Sequence, residues 1–252
     1  MTTLRKHVLV LAMVAVTGFG AATSRAQSAS DQALDTQVHK ALSNKRFGEV
    51  QVSTQGGVVT LNGQVARYYD LEDAAKKAAK VHGVSGVANN LTVGGARVPD
   101  EQLFQKISQK LLYDRNGYGT QMFNVFAVGV KDGVVTVDGS VVQPVDKDSA
   151  LNIVKDEPGV RGLVDHIHVQ QLSPNDNRIR VDVGRAVYGA PQLNRYALNP
   201  ARPIRISVEG GHVTLYGVVD TKGDREVAGI RANSVPGVFS VKNQIAVAGQ
   251  RE

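Results

Sequence analysis

The sequence predicts an α/β fold of the α+β type: three tandem two-layer αββαβ modules, each a small mixed three-stranded sheet covered by two helices. Three observations predict it. A glycine-framed stretch occurs three times, as Gly57-Val58-Val59-Thr60-Leu61-Asn62-Gly63, Gly133-Val134-Val135-Thr136-Val137-Asp138-Gly139 and Gly211-His212-Val213-Thr214-Leu215-Tyr216-Gly217. A Gly-Val pair follows the second glycine of each copy at one fixed distance: Gly83-Val84, Gly159-Val160 and Gly237-Val238. An alternating apolar pair comes next, again in register: Leu91 and Val93, Ile167 and Val169, Ile245 and Val247. Self-similarity at a fixed spacing marks a repeated structural unit.

The first element of each copy is a helix. Leu34, Val38, Ala41 and Leu42 recur with helical spacing, as do Leu103, Ile107 and Leu111, and Ile179, Val183 and Val187. Asp31, Asp100 and Asp176 stand at or near the helix starts, where a carboxylate is expected to cap free N–H groups.

A hairpin follows. Its first strand places Val50 and Val52, then Phe126, Val128 and Val130, then Ile204, Ile206 and Val208 on one face. Gln55-Gly56-Gly57, Lys131-Asp132-Gly133 and Glu209-Gly210-Gly211 supply turn chemistry, since glycine and aspartate accept positive φ. The second strand alternates through Val59, Leu61, Gly63 and Val65 and their counterparts. Its glycine lies in the inward phase, which predicts close approach of another element, with the second helix as candidate.

That second helix is predicted over Asp70–His82, Asp146–Glu157 and Asp224–Pro236. Gly83, Gly159 and Gly237 suit the left-handed position that ends a helix. The last strand turns Leu91 and Val93 or their equivalents inward. Asn90 and Thr92, His166 and His168, and Gln244 and Ala246 face out. One apolar sheet face under two helices is a two-layer unit. Each unit is small for an independent core, so the three are expected to pack on one another, at least in part.

The division along the chain follows. Arg5, Lys6 and His7, the apolar run Val8–Phe19 and the small-x-small Ser24-Arg25-Ala26 predict a signal peptide over residues 1–26. The apolar run is too short to span a bilayer, so no transmembrane segment is expected after cleavage. The modules are expected at 27–93, 100–169 and 176–252, with polar linkers at 94–99 and 170–175. The chain has no cysteine, which excludes both disulfides and an acylated lipoprotein cysteine. Export points to a periplasmic location, with release from the cell as the other destination.

Charge is unevenly spread. Residues 27–99 hold 8 basic and 6 acidic residues, 100–175 hold 7 and 10, and 176–252 hold 11 and 7. The third copy is the basic one, at +4, and is rich in arginine. Such charge reads either as ordinary solvation or as complementarity to an anionic partner, such as a lipid headgroup.

The order helix, hairpin with G-x-V-T-L-x-G-x-V, helix, Gly-Val and short final strand resembles the BON (bacterial OsmY and nodulation) domain. The resemblance rests on Gly57, Gly63 and Gly83, on Gly133, Gly139 and Gly159, and on Gly211, Gly217 and Gly237, with the valines beside them. It covers nearly all of the chain after residue 26, as three copies. It implies an envelope protein that binds phospholipid or membrane surfaces and protects against osmotic or envelope stress, sometimes with chaperone-like activity. It carries over fold glycines and no catalytic or contact residue.

Candidate contact residues come from the connections between first helix and first strand. These are short in copy one and longer in copies two and three. Lys45 and Arg46, Arg115 and Tyr118, and Arg195, Tyr196, Arg202 and Arg205 combine cations with aromatic rings. That chemistry suits a membrane interface, where a ring sits at headgroup depth and a cation pairs with phosphate. The competing reading folds the aromatics back over small cores. Loops repeated on three modules would add weak contacts by avidity.

His166 and His168 share a strand face at a metal-ligand spacing, but no third ligand follows and the equivalent positions in the other copies are not ligands, so no metal is expected. No nucleophile, zincin or phosphate-loop motif is present, so neither an enzyme nor a cofactor is expected. Nucleic acid is not an expected partner. Two functions remain: binding to anionic phospholipid surfaces, or binding other envelope proteins as a chaperone-like or scaffold factor.

Overall fold

In the computed structural model the described residues are 23–114, 121–171, 173–199 and 203–249. Most of the predicted signal peptide, residues 1–22, lies outside them. Module 1 comprises α1 (Thr23–Ala41), a 3-10 turn (Lys45–Phe47), β1 (Val50–Gln55), β2 (Val58–Val65), α2 (Tyr68–Ala79) and β3 (Gly86–Val93). Module 2 repeats this with α3 (Asp100–Tyr113), a 3-10 turn (Gln121–Phe123), β4 (Val125–Lys131), β5 (Val134–Val141), α4 (Pro144–Asp156) and β6 (Gly162–Val169). Module 3 has α5 (Pro174–Tyr188), a short α6 (Asn194–Ala197), β7 (Arg205–Glu209), β8 (His212–Val219), α7 (Lys222–Asn233) and β9 (Ser240–Val247).

Each sheet has the order first, second, third strand, with an antiparallel hairpin and a parallel third strand reached through the second helix. The hairpins pair Gln55 with Val58, Lys131 with Val134 and Glu209 with His212, leaving two-residue loops. Both loop residues have positive φ in every copy, Asp132 among them, which matches the right-handed strand twist.

The predicted core residues are where their periodicity puts them. Val38, Val59, Leu61, Ala74 and Ala78 are buried in module 1, Leu103, Ile107, Val135 and Val137 in module 2, and Ile179, Val183, Ile206 and Leu215 in module 3. The opposite face of the module 1 sheet has no helix over it and carries Gln51, Ser53, Asn62 and Asn90 to solvent.

Three local expectations are corrected. First, Asp31, Asp100 and Asp176 do not cap their helices. Asp31 lies well inside α1, and each carboxylate reaches across to both amides of the facing hairpin turn. In module 3 the cap is Ser173, which accepts from the N–H of Asp176 at 3.3 Å.

Second, the inward glycine of the second strand does not meet the second helix. A Cβ on Gly63, Gly139 or Gly217 would strike the carbonyl oxygen of Glu49, Val125 or Pro203, where the chain enters the first strand. These glycines have φ of +114°, +141° and +133°, so both conformation and space demand glycine.

Third, the second helices fall within a few residues of the predicted bounds, but the glycines predicted to end them do not do so. They begin at Tyr68, Pro144 and Lys222, and Gly83, Gly159 and Gly237 lie beyond their ends in the turn toward the last strand.

The modules pack on one another. Between modules 1 and 2, α2 lies against α4, Arg67 pairs with Asp156 at 2.5 Å, and Lys155 pairs with Glu72 at 2.8 Å. Tyr68 packs on the module 2 core, where burial pushes its hydroxyl pKa up. Between modules 2 and 3, Gln170 bridges Ser140, Ser207 and the buried Arg180, and Phe123 packs on the module 3 core. Burial lowers the Arg180 pKa, and its guanidinium lies 5.8 Å from the Phe123 ring centre.

Candidate functional site

In module 1 the 3-10 turn is capped by Asn44, whose side chain accepts from the N–H of Arg46 at 3.2 Å. The turn buries Phe47 and swings Arg46 onto α2. The guanidinium bonds Asp70 Oδ1 at 3.0 Å and also pairs with Asp73. It lies over the Phe47 and Tyr69 rings, 4.7 and 5.7 Å from their centres. Asp70 is fully buried at the start of α2 and takes a second bond from Arg67 at 3.3 Å. Lys45 is exposed and makes no ion pair among the described residues.

Module 3 rebuilds this arrangement with different backbone. Helix α6 buries Tyr196, with Leu193 buried just before it, and carries Arg195 to Asp224 Oδ2 at 2.6 Å, with Asp220 at 3.5 Å. The Tyr196 hydroxyl donates to Asp224 at 2.9 Å and accepts the Asp220 N–H at 2.8 Å. Burial pushes the Asp224 pKa upward, but bonds from Thr221 and Tyr196 and the Arg195 charge outweigh it, leaving the carboxyl below its ordinary value. Burial is the main cause of the raised Tyr196 pKa.

In module 2 Asp146 is fully buried at the matching place in α4. The predicted contact residues Arg115 and Tyr118 lie outside the described residues, as does Arg202 of module 3.

Arg205 has a different setting. It opens β7 and crosses to module 2, where its Nη1 donates to the carbonyls of Gln121 at 2.5 Å and Asn124 at 2.6 Å. Burial lowers its pKa. It joins two modules rather than lining a loop.

The structure therefore brings Arg46 to Asp70 and Arg195 to Asp224, and folds Phe47 and Tyr196 over the cores. Among the described residues, it does not gather Lys45, Arg46, Arg195, Tyr196 and Arg205 into one patch. The aspartate in the first turn of the second helix is a buried partner position that the sequence pattern did not single out. Its signal was present: Asp70, Asp146 and Asp224 occupy one repeat position at the start of an amphipathic helix. A cleft of about 640 Å³ beside the 94–98 connection is lined by Lys45 and Glu49, so it presents both signs of charge.

His166 and His168 diverge. His166 Nδ1 is 3.2 Å from Asp138, whereas His168 Nε2 reaches Glu209 of module 3 at 2.9 Å. Among the described residues no group of three or more histidine or acidic side chains is placed to hold a metal ion. No helix among them is long and apolar enough to cross a membrane.

Three repeated two-layer modules, with their repeated carboxylates committed to internal bonds, define a tandem-domain protein of the αββαβ type. The BON domain family model matches residues 30–95, 99–171 and 175–249, and the chain belongs to that family. It is similar to osmotically-inducible protein Y of Escherichia coli (strain K12), with 31% identity over 143 residues, 53% of this chain and 69% of that protein.

Among solved structures, CdsD, a structural protein of the type III secretion system of Chlamydia trachomatis, aligns at 13% identity over 85% of this chain and 92% of that one. Its TM-score is 0.25. The PrgH periplasmic domain aligns at 12% identity over 84% of this chain and 99% of that one, with a TM-score of 0.20. Scores this low carry no argument about this protein.

Proposed function

We propose that this chain is an exported, non-enzymatic binding protein of the cell envelope that associates with anionic phospholipid surfaces during osmotic or envelope stress. Family membership and the osmotically inducible relative support the stress setting. The observation that carries the lipid reading is the excess of exposed basic side chains on module 3. Arg178, Lys222, Arg231 and Lys242 are exposed there, and none has an ion pair among the described residues. In the loops, Lys45, Arg46, Arg115, Tyr118, Arg195 and Arg202 are the proposed contacts. Tyr196 braces the Arg195 loop from within, and Arg205 ties module 3 to module 2.

The test is co-sedimentation of the chain from Gln27 to Glu252 with neutral and anionic vesicles at low and high salt. Binding that requires anionic lipid and fades with salt is expected. Reversing Lys45, Arg195 and Arg202 to glutamate should weaken it by roughly a hundred-fold, since each basic residue near such a surface contributes about 1 kcal/mol. Binding equal on neutral and anionic vesicles, or none on either, overturns the reading.

A second reading, a chaperone-like or scaffold factor for envelope proteins, draws on Val58, Val134, Val164 and Val218. These valines are exposed on sheet positions that no helix covers. Salt-insensitive suppression of client aggregation would favour it.

A further inference from the structure

At the hairpin end of module 3 stands Phe239, 74% exposed. The backbone there is built alike in all three copies. The residue after each Gly-Val donates its N–H to the second turn glycine: Ser85 to Gly57, Arg161 to Gly133 and Phe239 to Gly211, each at 2.9 Å. Two copies place a polar or charged side chain at this point, and the third places a large aromatic.

The ring packs against Gly211, where φ is +79° and a Cβ would meet a ring carbon at 2.6 Å, so both conformation and space call for glycine. The His212 ring is 6.0 Å away, centre to centre, and is itself bonded to Ser240 at 2.8 Å.

Two exposed cations lie on the segments that adjoin Phe239. The Arg178 guanidinium comes within 3.6 Å of where a Cβ on Gly237, two residues before Phe239, would stand, and Lys242 lies three residues after it on β9. The nearby acids are engaged elsewhere: Asp176 with the amides of Gly210 and Gly211, and Glu209 with His168.

This end is remote from the helix-to-strand loop. Strand β8 starts beside Phe239 at His212, and it ends at Val219, next to the Asp220 amide that Tyr196 holds.

We propose that this tip is a bilayer anchor. Phe239 enters the boundary between headgroups and acyl chains of an anionic membrane, and Arg178 and Lys242 pair with phosphate on either side of it. An exposed aromatic ring suits headgroup depth, and cations without an ion pair among the described residues match an anionic surface. The inference rests on the anionic-lipid reading above but moves the leading contact to the opposite end of module 3.

The chain contains no tryptophan, so Phe239→Trp supplies a single reporter. The probe is phosphatidylcholine vesicles with and without phosphatidylglycerol. The expected result is a blue-shifted emission, quenched by brominated acyl chains, with anionic vesicles only. Phe239→Ser, the residue of the first copy, should bind these vesicles about ten-fold more weakly. Arg178→Glu with Lys242→Glu should remove most of the salt-sensitive binding. Vesicle binding with an unshifted tryptophan and an unaffected Phe239→Ser variant overturns the anchor and leaves the lipid reading standing. No vesicle binding by the parent chain removes both. The tryptophan readout stands by itself if Phe239→Ser does not fold.

Discussion

The N–H of Gly211 donates to Oδ1 of Asp176 across 2.8 Å, and Gly210 donates to the other carboxylate oxygen at 3.0 Å. One side chain at the start of a helix thereby clamps both amides of a hairpin turn, and Asp31 and Asp100 do the same in their modules. The clamp ties the first helix to the sheet where no strand pairing can. Asp176→Ala should destabilise module 3 by about 1.5–3 kcal/mol, the range for hydrogen bonds to a charged group. Urea unfolding checks this, and an unchanged midpoint would show that the clamp contributes nothing.

The Asp100 carboxyl gives the same clamp a pH dependence. Amide bonds from Gly133 and Asp132 hold its pKa below the ordinary 3.8. A depressed folded pKa contributes stability that is complete above the unfolded value and is lost as pH falls through the folded one. Asp224 shifts the same way. Stability should therefore hold from neutral pH to about pH 5 and decline below about pH 4. In Asp100→Asn the acid decline should be shallower, as read from urea midpoints between pH 7 and pH 3.

Gly217 and Gly129 form a contrasting pair. At Gly217, φ is +133° and a Cβ would lie 2.7 Å from the Pro203 carbonyl oxygen, so Gly217→Ala should cost about 2–3 kcal/mol. At Gly129 a Cβ meets nothing within 4 Å, so Gly129→Ala should be neutral or slightly stabilising in its strand. Thermal melts of the two variants measure the contrast directly.

Arg205 should act as a hinge pin between modules 2 and 3. Arg205→Ala removes its bonds to the Gln121 and Asn124 carbonyls and should loosen the joint by about 2–3 kcal/mol. Faster proteolysis within the 170–175 connection is the expected readout. In vesicle assays this variant separates a joint defect from a lost lipid contact, because Arg195→Glu should leave the connection protected.

Much of the fold was legible because side-chain periodicity records which face of an element is buried. Val59, Leu61 and Val65 alternate, Leu103, Ile107 and Leu111 recur helically, and both patterns proved to be core. The candidate site was legible only in composition. That Arg46 and Arg195 carry charge in loops was plain, but their partners are 24 and 29 residues away and no periodicity links them. Helix-start aspartates likewise looked like caps, because a capping carboxylate and one aimed at a facing turn are the same residue in the same place.

By itself the sequence determined the three αββαβ repeats, the strand faces, the places of the hairpin turns and the uneven charge, all of them local or periodic properties. Only the tertiary structure decided which charges are paired. It bonded the still partly exposed Arg46 and Arg195 to buried aspartates, carried Arg205 across a module boundary and set Phe239 against Gly211. Those outcomes follow from distances between segments remote in the chain, which packing sets and residue order does not.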